Sequence, residues 1–346
     1  IAEAYAKAGA KIAFNCRKKW DNQKGTRNVE CAAFIEALVK NNCRIDVCAY
    51  NYDGAINDDY DYVIGFGPAY RKAIQLNPQA KSVLYLTEKP PYYSLQKESE
   101  RIAYLYERHR IKAKINRSGL FFNDEDIVNA DYIIMMGREG DENLLPDKNV
   151  YLLSPTGLKC DNYTLEKKNF DQAKKHFLWM GSRGAVLKGL DILYDAFSVA
   201  PNFVLHVAGL DSVDRRILSK IKPANVIDHG YLQIGTAYAN KVFDDCAFFL
   251  FPSCSEGVST STLTAMNFGL IPLVTSEASV ATIDMKYLKS YHVEDVVREI
   301  TDRSASDSIS LRKEAESIRE FARERYSLER YSKTIFDIVQ SILSHE

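Results

Sequence analysis

Short apolar runs rich in β-branched and aromatic residues alternate with longer segments of helical periodicity, and this alternation constrains the fold more than any other feature. The predicted strands fall at 11–16, 44–50, 61–66, 82–86, 131–136, 149–153, 176–180, 203–208, 225–229, 247–251 and 271–275. Between the first two runs, apolar residues such as Val29, Ala33 and Ala37 recur at helical spacing. Apolar strands joined by helical crossovers predict parallel sheets that are covered on both faces.

The length of the chain predicts more than one domain. Its 346 residues exceed what one hydrophobic core usually serves. Residues 154–175 are polar, rich in turn formers and without strand periodicity, which is typical of a hinge. We therefore predict a first Rossmann-like domain over 1–158, a second over 159–325, and a C-terminal helix over 326–346 that could cross back to the first domain. Such sheets bind ligands outside the carboxyl ends of their strands.

Composition excludes several classes of protein. The formal net charge of −1 argues against a general polyanion binder, so we expect no nucleic-acid partner. No apolar run approaches the roughly 20 residues that span a bilayer, and the first residues do not resemble a secretory signal. The seven cysteines form no CxxC pair and the six histidines are dispersed, which favours reduced thiols and argues against a structural zinc site. We expect a cytoplasmic protein.

Two cations follow the predicted strand at 176–180. Arg183 and Lys188 lie in a glycine-rich segment, GSRGAVLKG, directly before a helical pattern. Backbone amides at a helix start, together with two cations, suit a diphosphate. The alternative is a solvated turn with incidental basic residues. The dinucleotide fingerprint GxGxxG does not occur here.

A carboxylate, a glycine and a run of hydroxyls follow the predicted strand at 247–251, in the segment FPSCSEGVSTSTLTAM. Gly257 and the following hydroxyls can donate hydrogen bonds at the start of a helix. Because like charges repel, Glu256 is better suited to sugar hydroxyls than to a phosphate group. The alternative for Glu256 is an acid in the first turn of a helix.

These two segments together resemble the donor half of retaining GT-B glycosyltransferases of the family-four, group 1 type. Arg183 keeps the family's spacing to Lys188. Residues in register with the later family motifs are Pro252, Ser253, Glu256, Gly257, Leu263, Ala265, Met266, Gly269 and Pro272. The resemblance covers most of 176–300 and is weaker over the first half. It implies an α/β GT-B fold with two doubly wound, Rossmann-like domains facing each other across a cleft.

The resemblance also implies roles for particular residues. Arg183 and Lys188 would bind the donor diphosphate and stabilise its charge as it leaves, with no metal ion or cofactor. Glu256 would contact the donor sugar, and Thr264 would approach the ribose. The other predicted donor-binding residues are Gly181, Gly257, Val258, Ser259, Thr260 and His229. His229 could reach the base or could simply pack at the end of a strand.

Three departures from the family pattern leave the identity of the nucleotide open. Thr264 replaces a glutamate that usually binds ribose hydroxyls, and a threonine side chain is shorter than that of glutamate and carries no charge. Ser182 separates Gly181 from the arginine. Val258 and Ser259 replace the common aromatic–glycine pair.

The first half carries weaker signals. Glu88 follows a strand where family members often carry a histidine motif. It could contact an acceptor hydroxyl or the donor sugar, or it could lie in a capped turn. Gly25 lies in the loop after the first strand, where the family often uses glycine near the donor. The basic stretch 108–117 predicts a solvated helix face or, as the alternative, a peripheral contact with anionic lipid at the inner face of the membrane.

We therefore predict a metal-independent, retaining glycosyltransferase. It would move a sugar from a nucleotide-diphosphate donor to a glycan or lipid-linked acceptor, and the family makes surface polysaccharide synthesis the expected setting. Two alternatives are a GT-B sugar-nucleotide epimerase and a catalytically silent nucleotide-sugar-binding protein.

Overall fold

A computed structural model describes residues 11–15, 26–57 and 59–344, with side chains from residue 26 onward except that of Met285. The chain divides into two compact units. The first comprises the described residues up to Tyr92, residues 119–156 and the residues from Tyr326, and the second comprises residues 93–118 and 157–325. The sequence predicted a single boundary between these domains, at residue 158. The structure differs, because residues 93–118 also belong to the second unit.

The first unit is built on a parallel sheet. Within the described residues its strand order is β2–β1–β3–β4–β5–β6, with bounds β1 Lys11–Asn15, β2 Arg44–Cys48, β3 Tyr62–Gly65, β4 Lys81–Leu86, β5 Tyr132–Met136 and β6 Asn149–Leu153. The helices of this unit are α1 Thr26–Lys40, α2 Gly67–Leu76, α4 Asp124–Val128 and α12 Leu328–Leu343. Of a further helix, α3 Pro91–His109, the first two residues belong to this unit and the others to the second.

Alternating side chains of β4 show that helices cover both faces of this sheet. Val83 and Tyr85 belong to one apolar cluster, which includes residues of α1 and α12. Leu84 and Leu86 belong to the other cluster, which includes residues of α2 and α4. Burial on both faces explains why the strand is an almost continuous apolar run rather than an alternating one. The C-terminal helix α12 packs on α1 within this unit.

The second unit repeats this architecture. Within the described residues its parallel sheet has the order β11–β10–β7–β8–β9, with bounds β7 His176–Met180, β8 Val204–Ala208, β9 Val226–Asp228, β10 Phe248–Phe251 and β11 Ile271–Val274. Its helices, besides α3, are α5 Phe170–Ala173, α6 Leu190–Val199, α7 Ser212–Leu218, α8 Ala237–Asp245, α9 Thr260–Asn267, α10 Val293–Ser304 and α11 Ser308–Arg325. Every predicted strand of both halves is present, so the prediction of two Rossmann-like doubly wound sheets is confirmed.

Charged side chains attach residues 93–118 to the second unit. The Arg108 guanidinium forms ion pairs with Asp191 and Asp195 of α6. Inside the segment, the buried Glu98 carboxylate accepts hydrogen bonds from the amides of Asn116, at 3.0 Å, and Ser118, at 2.8 Å, which tie its end back to α3. These buried polar contacts would be costly to break, because each would leave an unpaired group out of water.

The interpretation of 108–117 as a helix face is wrong. The helix α3 ends at His109, and residues 110–116 have no regular secondary structure. Arg108 is engaged by α6, whereas Arg110, Lys112 and Lys114 are exposed. Among the described residues, no helix has the length and apolar character needed to cross a bilayer.

Candidate functional site

The predicted donor-side segments follow two neighbouring strands of the second sheet. The chain runs outward from β7 to β8 and β9 on one side, and β10 and β11 lie on the other side. The order therefore reverses between β7 and β10, and doubly wound sheets bind ligands at the carboxyl ends of the strands at such a point. The loop with Arg183 and Lys188 follows β7, and the loop with Glu256 follows β10. The topology thus brings together residues that lie far apart in the sequence.

Close packing at the end of β7 requires Gly181. A Cβ atom on this residue would lie 2.5 Å from the buried Trp179 ring and 3.2 Å from Cδ of Lys188. The Trp179 indole nitrogen donates a hydrogen bond of 3.2 Å to the carbonyl of Lys188. The glycine therefore leaves room for the aliphatic part of the lysine side chain, and the tryptophan fixes the lysine backbone.

A buried carboxylate orders the backbone that follows Arg183. Asp214, in α7, accepts hydrogen bonds at Oδ2 from the amides of Gly184, at 2.8 Å, and Ala185, at 2.9 Å. Its other oxygen accepts a 3.1 Å hydrogen bond from the side chain of Asn116. Asp214 is 1% exposed. Asp214 was not among the predicted site residues, and its only sequence signal is its place in the helix that follows β8 of the same sheet.

Lys188 and Glu256 form an ion pair across the two loops. The distance from Nζ to Oε1 is 3.0 Å, and the side chains are 9% and 12% exposed. The lysine also donates a hydrogen bond of 3.2 Å to the carbonyl of Arg183, whose own side chain is exposed. The ion pair does not have hydrogen-bond geometry, so within the described part of the chain Oε1 of Glu256 is a buried acceptor without a donor.

The hydroxyls after Glu256 mainly stabilise the local backbone. Ser259 is the N-cap of α9, and its side chain accepts from the Thr262 amide at 3.3 Å and from the Thr262 hydroxyl at 2.7 Å. Gly257, Val258 and Ser259 are buried, whereas Thr260 is exposed. Of these four predicted donor-binding residues, Thr260 is therefore the one whose side chain is open to a ligand.

Thr264 is occupied by contacts inside the second unit. Its hydroxyl donates to the carbonyl of Thr260 at 2.9 Å and accepts from the amide of Leu158 at 3.1 Å. The side chain of Asn267, one turn later, donates to the carbonyl of Leu158 at 3.1 Å. Thr264, which is 5% exposed, thus fixes the start of the segment that enters this unit. Its only hydroxyl proton is already donated, so a ribose hydroxyl could only donate to it.

His229 ends a chain of side chains on one face of the second sheet. His176 Nδ1 lies 2.9 Å from His206 Nε2, and His206 Nδ1 lies 2.9 Å from His229 Nε2. His229 Nδ1 lies 2.6 Å from the hydroxyl of Tyr238. Burial lowers the pKa of His206 to about 4, and it also lowers the pKa values of the other two histidines. Both nitrogens of the neutral His229 ring are therefore engaged.

The acceptor-side predictions lie in the first unit. Glu88 follows β4 and is 8% exposed. Its neighbour Lys89 forms a buried ion pair with Asp141, which follows β5. Gly25 lies outside the described residues. Among those residues, no group of three or more His, Cys, Asp or Glu side chains could hold a metal ion, and metal independence stays a prediction.

Two Rossmann-like units, with cations and a carboxylate at the switch point of the second sheet, define the GT-B class of fold. Residues 174–302 match the family model of Glycosyl transferases group 1. The resemblance predicted from the sequence is thereby confirmed for the part of the chain that contains Arg183, Lys188 and Glu256. No curated protein matches the chain at a significant level.

Solved structures similar to this chain include several proteins of this class. Sucrose-phosphate synthase from Thermosynechococcus elongatus is 12% identical with a TM-score of 0.65, over 98% of this chain and 100% of that protein. Anabaena HepE, solved with UDP and glucose, is 11% identical with a TM-score of 0.61, over 96% and 100% of the two chains. WaaG, a glycosyltransferase involved in lipopolysaccharide biosynthesis, is 14% identical with a TM-score of 0.54, over 97% and 100%. At these identities the likeness establishes the fold.

Proposed function

We propose that this protein transfers a sugar from a nucleotide-diphosphate donor to an acceptor hydroxyl, and that its second unit binds the donor. The observation that carries the proposal is the Lys188–Glu256 pair, with a distance of 3.0 Å between Nζ and Oε1. It joins a cation suited to phosphate and a carboxylate suited to sugar hydroxyls. Both lie within the segment that matches the group 1 glycosyltransferase model.

The buried acceptor on Glu256 supports a sugar at this position. Buried polar atoms in native proteins are rarely left without a hydrogen-bond partner. Oε1 of Glu256 has no donor among the described residues, and a donor sugar would supply hydroxyl groups. An arriving diphosphate would also draw Lys188 toward its own negative charge, which would free the carboxylate for those hydroxyls.

Lys188 and Arg183 would stabilise the charge that develops on the leaving diphosphate. Lys188 is 7% exposed, and the hydrogen bond from the Trp179 indole fixes the backbone from which its side chain extends. Arg183 is exposed and able to close on a bound phosphate. Preplaced cations can perform this role in a site from which water is largely excluded. We therefore propose a reaction that requires neither a metal ion nor a cofactor.

The family resemblance and one similar structure support proposals for the stereochemistry and for the donor. The family resemblance favours retention at the anomeric carbon. HepE was solved with UDP and glucose, so UDP-glucose is the first donor to test. Thr260, the exposed residue of the hydroxyl run, is proposed to contact the donor, and His229 to lie near its base.

The acceptor would be a glycan or a lipid-linked saccharide, with surface polysaccharide synthesis as the setting. Glu88, after β4, is the proposed acceptor-side residue. The exposed Arg110, Lys112 and Lys114 could bring the protein to anionic lipid at the inner face of the membrane. Reversing the charges of Arg110 and Lys112 should then reduce binding to anionic liposomes at low salt. Unchanged binding would remove the membrane contact from the proposal.

The test combines ligand binding with product analysis. Nucleotide diphosphates and their sugars are screened by thermal shift, since a ligand at 100 times its Kd stabilises the folded state by about 2.7 kcal/mol. Turnover of the stabilising sugar nucleotide is then measured with an acceptor panel for the wild type and for Lys188→Ala. We expect the variant to lose on the order of 100-fold in turnover.

The outcomes separate the alternatives. Equal turnover in the two proteins would contradict the role of Lys188. An isomerised sugar nucleotide formed without acceptor would indicate an epimerase. Donor binding without turnover across the acceptor panel would indicate a silent binding protein.

A further inference from the structure

Arg101, in α3, is a buried arginine outside the predicted site. It is 1% exposed, and both of its terminal nitrogens donate hydrogen bonds of 3.0 Å to the carbonyl oxygen of Pro252. Pro252 directly follows β10 and begins the loop that leads to Glu256. A charged donor gives stronger hydrogen bonds than a neutral one, and two bonds from one planar group fix the direction of the carbonyl.

The surroundings of Arg101 hold its guanidinium in place. It lies over the ring of Tyr291, with 4.3 Å from the guanidinium carbon to the ring centroid. The fully buried carboxylate of Asp191 interacts electrostatically with both Arg101 and Arg108. The cost of burying the positive charge is therefore offset by an opposite charge, an aromatic face and two hydrogen bonds.

The loop with Lys188 meets the loop with Glu256 at the same point. Gly189 has a φ of +75°. A Cβ atom there would lie 2.6 Å from both Cγ and the carbonyl oxygen of Pro252, and 3.0 Å from a terminal nitrogen of Arg101. The amide of Cys254 donates to the carbonyl of Leu187 at 3.0 Å, which ties the two loops a second time. A shift of the Pro252 carbonyl would therefore change the packing of both loops.

A second contact links α3 to the loop after β10. The hydroxyl of Ser94 lies 2.9 Å from the hydroxyl of Ser255, the residue before Glu256. Both serines are buried. The helix α3 thus contacts this loop at the start of the loop, through Arg101, and again just before Glu256, through Ser94.

We propose that Arg101 is a positioning residue for Lys188 and Glu256. By holding the Pro252 carbonyl against Gly189, it keeps the two loops in the arrangement that pairs the cation with the carboxylate. Arg101 itself touches neither side chain of the pair in the contacts described above, and it acts through the backbone. The catalytic part of this inference rests on the proposed function, whereas the effect on the loops does not.

The experiment compares Arg101→Met, Arg101→Lys and the matched control Arg323→Met. The control removes the same charge from an exposed position in α11. Amide hydrogen exchange without any ligand is followed for peptides that contain residues 187–190 and 252–257. We expect faster exchange in both peptides for Arg101→Met, a smaller increase for Arg101→Lys, and wild-type exchange for the control. Lysine keeps the charge but cannot reproduce the planar pair of donors.

Turnover provides the second readout. We expect kcat to fall on the order of tenfold to a hundredfold in Arg101→Met, because misplaced catalytic groups reduce the rate of the chemical step. The KM for the donor should change less. The Arg101→Lys variant should keep part of the kcat that Arg101→Met loses. A purely structural role at a remote position would not produce this partial recovery.

The two readouts distinguish the failure of each proposal. If exchange in both peptides stays at the level of the control in both Arg101 variants, the positioning role is wrong whatever the activity. If exchange rises while the wild type turns over no sugar nucleotide, the role of Arg101 in the loops stands and the transferase proposal fails. If Arg101→Met does not fold, Arg101→Lys decides by the same comparison.

Discussion

Glu256 lies 3.0 Å from Lys188, measured from Oε1 to Nζ, and yet this oxygen has no hydrogen-bond donor among the described residues. The Glu256→Gln variant keeps the size of the side chain and removes its charge. We expect free nucleotide diphosphate to bind at least as tightly, because a negative charge near the phosphate site is gone. Sugar transfer should fall on the order of 100-fold, because the hydroxyl acceptor is weaker. Calorimetric titration with UDP and a turnover assay measure the two effects. A parallel loss of both would contradict the division of roles.

Thr264 is expected to act on stability through the amide of Leu158, to which it is hydrogen-bonded at 3.1 Å. Thr264→Val leaves this amide without its partner and should lower the free energy of unfolding by about 1–3 kcal/mol. Thr264→Ser keeps the hydroxyl and is the matched control. Urea denaturation measures the difference. If the valine variant instead keeps its stability and loses UDP affinity, the ribose role predicted from the sequence would be favoured.

Asp214 should influence donor affinity through the amides of Gly184 and Ala185. Its carboxylate accepts hydrogen bonds from these amides at 2.8 and 2.9 Å. Asp214→Asn weakens these charge-assisted bonds, and the looser Arg183 loop should bind UDP about tenfold more weakly. Asp211→Asn is the control, because asparagine is as good an N-cap for α7 as aspartate. Equal UDP affinities in the two variants would show that the Arg183 loop does not depend on Asp214.

His206 should make the fold sensitive to acid. Burial, with repulsion from His176 and His229, lowers its pKa from 6.5 to about 4; Asp245 opposes this shift to a smaller extent, and Lys241 adds slightly to it. The unfolded state therefore binds the proton more tightly than the folded state. The contribution of neutral His206 to the free energy of unfolding is fully present above about pH 6.5. It is lost as the pH drops toward 4, by at most about 3 kcal/mol in total.

The His206→Gln variant tests this pH dependence. It keeps a hydrogen-bonding side chain but has no group that titrates in this range. Chemical denaturation at pH 7.5 and at pH 5 should show a smaller difference between the two pH values for the variant than for the wild type. An identical pH dependence of the two proteins would assign the acid sensitivity to other groups.

The strands and the sheet edge that carries the site could be predicted from the sequence, because strands buried on both faces are continuous apolar runs. Phe248–Phe251 is an example, with four buried residues. The pairing of Lys188 with Glu256 could be expected only from the family, since it depends on β7 and β10 being neighbours. Nothing local in the sequence specifies that neighbourhood.

The environment of α3 could not be predicted for a related reason. Arginines such as Arg101 and Arg108 are typical of a solvated helix face, and their partners lie in distant segments. The same limit applies to Thr264, whose partner Leu158 is remote in sequence. A pattern of residue types shows which side chains are able to pair, but the fold decides which of them meet.

The attachment of residues 93–118 to the second unit has a consequence for chimeric proteins. A hybrid that received only the residues after 158 would carry Asp191 into its new host without the two arginines that neutralise it. If the second unit binds the donor, as proposed, a hybrid made to exchange donor specificity would need to receive α3 as a second and separate graft.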